Sequence, residues 1–190
     1  MVSYAAPVAP ALPVAVGLDA EIQRLQLLLA AEVPWLQVSY GKAYRATRAG
    51  TGGKPRYVPE VYDGGREYRD VLPNDNVEAQ SFFYPSGPAV NPDREPLPAQ
   101  LSLTQSCELI VWGSLAKIDP TKDYRFEHEL LADVCRVLND DGQARLLRVF
   151  TAPEDVFKGF TLDGLDEVLR QPYAGFRISL ELQAPNILCS

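Results

Sequence analysis

Between Leu101 and Leu115 the chain alternates. Leu101, Leu103, Cys107, Leu109, Val111 and Leu115 fall on one side of an extended backbone, with Ser102, Thr104, Ser106 and Glu108 among those on the other. A second alternating run closes the chain, with Phe176, Ile178, Leu180 and Leu182 on one side. Strands with one apolar and one partly wet side are typical of antiparallel sheets, because parallel sheets are usually covered on both sides. Any fold must therefore pair these runs in a sheet and bury the leucine-rich side.

The 16 prolines and 13 glycines are more than a helical bundle tolerates, since each weakens a helix or removes a backbone donor. From Trp35 to Leu72 they separate the short segments LQVSY, KAYRATR, PRYVPEVY and EYRDVL, rich in β-branched and aromatic residues, which predicts strands in hairpins. AGTGGKP is a flexible connection, Asp63 to Gly65 is a tighter turn, and Pro59 argues for an edge strand or a break. Turn formers crowd the region from about 73 to 100, which reads as a long loop docking an aromatic anchor at Phe82, Phe83 and Tyr84, either in the core or at a subunit contact. ARLLRVFTA predicts another strand, and Pro153 to Leu169 one or two helical turns.

Two segments carry helical periodicity. Leu18, Ile22, Leu25 and Leu29 lie on one stripe, with Asp19 as the expected cap, Glu21 suited to the positive end of the dipole and Pro34 stopping the helix near Glu32. Phe126, Leu130, Val134, Val137 and Leu138 form a second stripe, with Asp123 as the expected cap and an end at Asn139 to Gly142. The expected fold class is α+β: a mainly antiparallel sheet with two principal amphipathic helices packed on one face. Residues 18–190 form the single domain, and residues 1–17 a proline-rich extended arm.

The arm resembles a secretion signal only superficially. It lacks a basic start, and Pro7, Pro10 and Pro13 break the apolar helix such a signal needs. It reads instead as an extended segment, mobile or laid on a neighbouring subunit. No run reaches the ~18 apolar residues of a membrane span, so no membrane partner is expected. Cys107, Cys135 and Cys189 read as reduced thiols in a cytoplasmic setting, the first two inside apolar patterns. With 18 basic and 25 acidic residues the net charge of −7 repels a phosphate backbone. Lys42, Arg45, Arg48, Lys54 and Arg56 could form a local basic patch, read as the solvated side of a hairpin.

Candidate chemistry is sparse. The single histidine, His128, lies between Glu127 and Glu129, offset from the apolar stripe and without a nucleophile turn. AGTGGKP misses both phosphate-loop fingerprints, with Pro55 where a Ser, Thr or third glycine belongs. Asp140 with Asp141, and Asp163, Asp166 and Glu167, could serve a hydrolase or a divalent ion, but read as caps or solvated charges. The expectation is no enzyme, no cofactor, no metal and no catalytic residue.

The phrases LDAEIQRLQLLL, PWLQVSYGKAYR, VLPNDNVEAQSFFY, ELIVWGSLAKID and AGFRISLEL, in this order over Leu18 to Gln183, resemble small tail-completion proteins of prophages and tailed bacteriophages, particularly tail terminators. The resemblance rests on size, element order and local phrases, and leaves the arm outside. It implies an α+β structural virion protein, assembled in the host cytoplasm, that forms a ring, commonly a hexamer, caps the tail tube and offers its other face to neck or connector proteins. DNA would pass through the lumen without specific binding. Pro7, Pro10, Pro13, Phe82, Phe83 and Tyr84 are the expected intersubunit or tube contacts, since closing a ring repeats one heterologous contact. The alternatives are another neck or baseplate-joining virion protein, a monomeric cytoplasmic protein-binding module, and an enzyme with a cryptic carboxylate site.

Overall fold

Gly17 starts the first helix, α1 (Leu18–Glu32), from a backbone conformation (φ 58°, ψ −129°) that a Cβ would disfavour. No side chain caps this end. Asp19 instead accepts a hydrogen bond from Lys42 Nζ at 2.8 Å, so the expected cap is an ion pair to the sheet. Pro34 follows the last turn, as the periodicity predicts. The computed structural model describes residues 7–90, 103–162 and 170–184.

After α1 come β1 (Val38–Ala49), a 3₁₀ turn at Thr51–Gly53, β2 (Pro55–Gly64), β3 (Glu67–Asp70), β4 (Ala79–Pro85) and β5 (Leu103–Ser114). Then follow α2 (Leu115–Ile118), α3 (Glu127–Asp141), β6 (Arg145–Phe150), α4 (Pro153–Val156) and β7 (Tyr173–Ala184). The fold is mixed α and β, with a seven-stranded sheet in the order β3-β2-β1-β4-β5-β7-β6. All neighbours are antiparallel except β1 and β4.

Several expectations change. LQVSY and KAYRATR lie mostly in one strand, β1, which continues through a register shift against β4 between Ser39 and Lys42. Pro59 is in a strand with neighbours on both sides; its carbonyl accepts from Val71 N–H, so its missing donor faces the point where β3 leaves the sheet. Within the expected loop, Ala79–Pro85 is an interior strand between β1 and β5. Its neighbours Phe82 and Phe83 point to opposite sides and are both buried, so the alternation that marks a half-wet strand never arises. Asp123 does not cap α3, whose N-cap position is Phe126 with no side-chain cap and whose C-cap is Gly142 (φ 69°).

Two cores result. Ile22, Leu25 and Leu29 of α1 and Leu130, Val134 and Leu138 of α3 pack with Phe83, Leu109, Val111, Ile178 and Leu180 on one side of the sheet. On the other side Val156 and Phe157 cover Tyr40, Phe82, Ile110 and Trp112, joined by Phe160 and Leu162. β5 is therefore buried on both sides from Cys107 to Ser114, where one partly wet side was expected; only its first residues are partly open. Within β5, a Cβ on Gly113 would lie 2.9 Å from Ile118 Cδ1, 3.0 Å from Ala79 Cβ and 3.1 Å from the Glu78 carbonyl. We expect Gly113→Ala to lower the unfolding free energy by about 1–3 kcal/mol in urea titration, because the added methyl overpacks a junction of backbones.

Candidate interaction surfaces

From Pro7 onward the arm lies on its own domain. Val8 N–H donates to the Gln37 carbonyl at 3.0 Å and the Val8 carbonyl accepts from Ser39 N–H at 2.9 Å, a one-residue parallel bridge to β1. Gln26 Nε2 donates to the Pro10 and Ser39 carbonyls, each at 2.8 Å, and Gln23 Oε1 accepts from Leu12 N–H at 2.9 Å. Gly41 makes room for this, since a Cβ there would approach Gln26 Oε1 to 2.8 Å. Pro7 and Pro10 are half-buried and Pro13 is exposed, so the stretch expected to be mobile or on a neighbour is pinned in cis. Phe82 and Phe83, the other expected contacts, lie in the two cores, and Tyr84 is half-buried against Phe160, with ring centroids 5.0 Å apart.

The basic patch is largely spent internally. Lys42 pairs with Asp19, Arg48 with Glu60, and the Arg45 guanidinium lies 3.8 Å from the centroid of Tyr57. Around AGTGGKP, Gly50 N–H donates to the Lys54 carbonyl at 3.0 Å and closes a hairpin between antiparallel strands, a different setting from the strand-to-helix turn of a phosphate loop. His128 is exposed on α3. Asp141 accepts two bonds from Arg24, one of them at 2.7 Å, which locks α1 to α3; Arg24 also holds Glu21 at 2.6 Å. Arg24 keeps the Asp141 carboxyl below its ordinary range. Asp163, Asp166 and Glu167, like Leu101 and Cys189, lie outside the described residues. Among the described residues no three or more His, Cys, Asp or Glu side chains gather as a metal site, and no helix is long and apolar enough to cross a membrane. Burial pushes both the Cys107 and Cys135 thiols up.

One charged pair is deeply placed. Glu108 Oε2 accepts from Arg177 Nε at 2.9 Å and from Ser179 Oγ at 2.7 Å, while Arg177 Nη1 reaches the Asp155 and Lys158 carbonyls, each at 3.3 Å. Arg177 thus fastens α4 and the chain after it over the second core. Burial alone would push Glu108 up, but the bonds from Arg177 and Ser179 outweigh it and hold the carboxyl below its usual 4.5.

Three surfaces emerge only in the fold. Tyr44, Tyr62 and Tyr68 form an edge-to-face series, with centroids 6.0 and 5.9 Å apart, on the wing of β1, β2 and β3. Lys42 lies over Tyr44, so the series shares the side of the sheet that α1 occupies. Tyr44 and Tyr68 stay 44% and 53% exposed. Among the described residues the sheet also ends in two strands with one partner each, β3 and β6, and β6 exposes Leu147 and Val149 at 44% and 43%. A polar cleft of about 420 Å³, lined by Gln37, Tyr40, Arg69, Asn74, Asn76 and Gln80, opens beside the end of β3. Several of its groups are committed: Gln37 Oε1 accepts from Glu78 N–H at 2.8 Å, and Gln80 Nε2 donates to the Val71 carbonyl at 2.6 Å. No family model matches the chain, and no curated protein or solved structure is significantly similar to it.

The buried pair generates a signed expectation. A carboxyl depressed in the folded state contributes stability above its unfolded pKa, and that contribution disappears as pH falls through the folded value. Arg177→Met strands the Glu108 charge and is expected to cost about 3–5 kcal/mol in urea unfolding at neutral pH, with part recovered in the double variant carrying Glu108→Gln. In Glu108→Gln alone, the loss of stability below pH 4.5 becomes shallower than in the parent.

Proposed function

We propose that this chain is a structural subunit that associates with copies of itself in a ring, and specifically a tail terminator that caps a phage tail tube and joins it to the neck. The observation that carries the reading is the pair of open edges at opposite ends of one sheet. A subunit with a different exposed strand at each end is suited to a heterologous contact, and a heterologous contact repeated at a fixed rotation closes a ring. The resemblance of the chain's phrases to tail-completion proteins supplies the specific assignment, with the virion tail or neck as its location.

Among the described residues Asp141 is held by Arg24, and Glu108 and Arg177 hold each other. The net charge of −7 suits a lumen through which DNA passes without adhering. Another neck or baseplate-joining protein makes the same demands on a subunit. The polar cleft favours a different reading, a monomeric module that binds a polar partner there.

Native mass spectrometry over a concentration series, with electron microscopy of the same sample, tests the proposal. A single closed stoichiometry and annular particles are expected. A strict monomer at the highest attainable concentration contradicts the ring and favours the module.

A further inference from the structure

The strand directions determine how two copies can meet. From β3 to β6 the sheet takes five antiparallel steps and one parallel step, so β3 and β6 run in opposite directions. When a second copy is set beside the first in the same orientation, its β3 therefore lies antiparallel to the first copy's β6. Its α1 and α3 stay on the same side of the joined sheet. The backbone groups on the open flanks of both strands then have partners without inverting either subunit.

Side chains distinguish this arrangement from a two-fold one. β6 carries Arg145 and Arg148 and no acid, so pairing β6 with its own copy sets arginines against arginines. β3 carries Glu67 and Asp70, with Arg69 already held by Asp63 at 2.7 Å, so pairing β3 with its copy sets carboxylates together. Among the described residues neither Glu67 nor Asp70 has a cationic partner and Arg148 has no acidic one. Arg145 is 75% exposed and reaches Glu181 only at 3.5 Å. An acidic strand at one end of the sheet and a basic one at the other are complementary only head to tail.

The exposed apolar residues follow the same division. Tyr68 lies on β3, while Leu147 and Val149 lie on β6. Val149 pairs with Ile178, whose side chain belongs to the helix-side core, and Tyr68 is on the helix side of the wing. Both therefore come to the same side of the joined sheet.

We infer that copies of this chain join by antiparallel pairing of the β6 edge of one with the β3 edge of the next, giving one sheet that continues around the ring. This rests on the ring reading and names its interface.

The test uses the full chain with Glu67→Lys together with Asp70→Lys, which makes both edges basic, and with Arg145→Glu together with Arg148→Glu, which makes both acidic. Each variant alone is expected to associate on the order of tenfold more weakly than the parent. A mixture should form rings again, with the two variants in equal numbers, because each then meets an opposite edge. Tyr68→Ser and Val149→Ser, which change no charge, are each expected to weaken the ring as well. Circular dichroism and thermal melting verify that the variants are folded. If the charge and serine variants form rings as the parent does, edge pairing is overturned while the ring reading stands. Weakened variants that the mixture does not restore also overturn it. A parent that never leaves the monomer overturns the ring and its interface together.

Discussion

The pairing of β5 with β7, twelve residues against twelve from Leu103↔Ala184 to Ser114↔Tyr173, is the constraint on which the rest depends. It places Cys107, Leu109 and Val111 with Phe176, Ile178 and Leu180 under the two long helices, and Ile110 and Trp112 on the opposite side under Phe157. A one-residue slip of β7 against β5 would exchange the two sides of β7 and turn Arg177 and Ser179 into the helix-side core. The Glu108–Arg177 pair crosses the same two strands, so the residue that fastens α4 depends on the register that forms the first core.

Much of this was legible because burial on one side leaves a period. The stripes of α1 and α3, the leucine-rich side of β5 and the alternation of β7 all appear as spacings in the chain. β4 was not legible, since Ser81, Phe82 and Phe83 are buried in succession and a strand covered on both sides has no polar phase. The second side of β5 was missed for a related reason. Its cover, α4 with Phe157 and Phe160, is a short, weakly periodic segment far along the chain. The caps failed because Asp19 has a better partner in Lys42, a contact that only the packing of α1 on β1 creates.

The surfaces were less legible than the core. The docking of the arm depends on Gln23 and Gln26, whose amides reach it only once α1 is seated. Aromatic content drew attention to Phe82 and Phe83, yet the exposed rings are Tyr44 and Tyr68, spaced along two strands and adjacent only in the fold. The open edges leave no mark in the sequence at all. Whether ARLLRVF and EYRD are interior or terminal follows from strand order alone.

The architecture assigns rigidity to the middle of the sheet, and the proposed contacts fall at its ends. This division is what a subunit needs if it meets its partners through backbone edges and exposed rings rather than through a reactive group. Residue-resolved hydrogen exchange of the dilute protein examines it most directly. The account predicts that the amides of β5 and β7 exchange only through global unfolding, with the outer flanks of β3 and β6 exchanging faster by local opening. Central strands that exchange as readily as the edges, or two cores that open as independent units across β5, would contradict it.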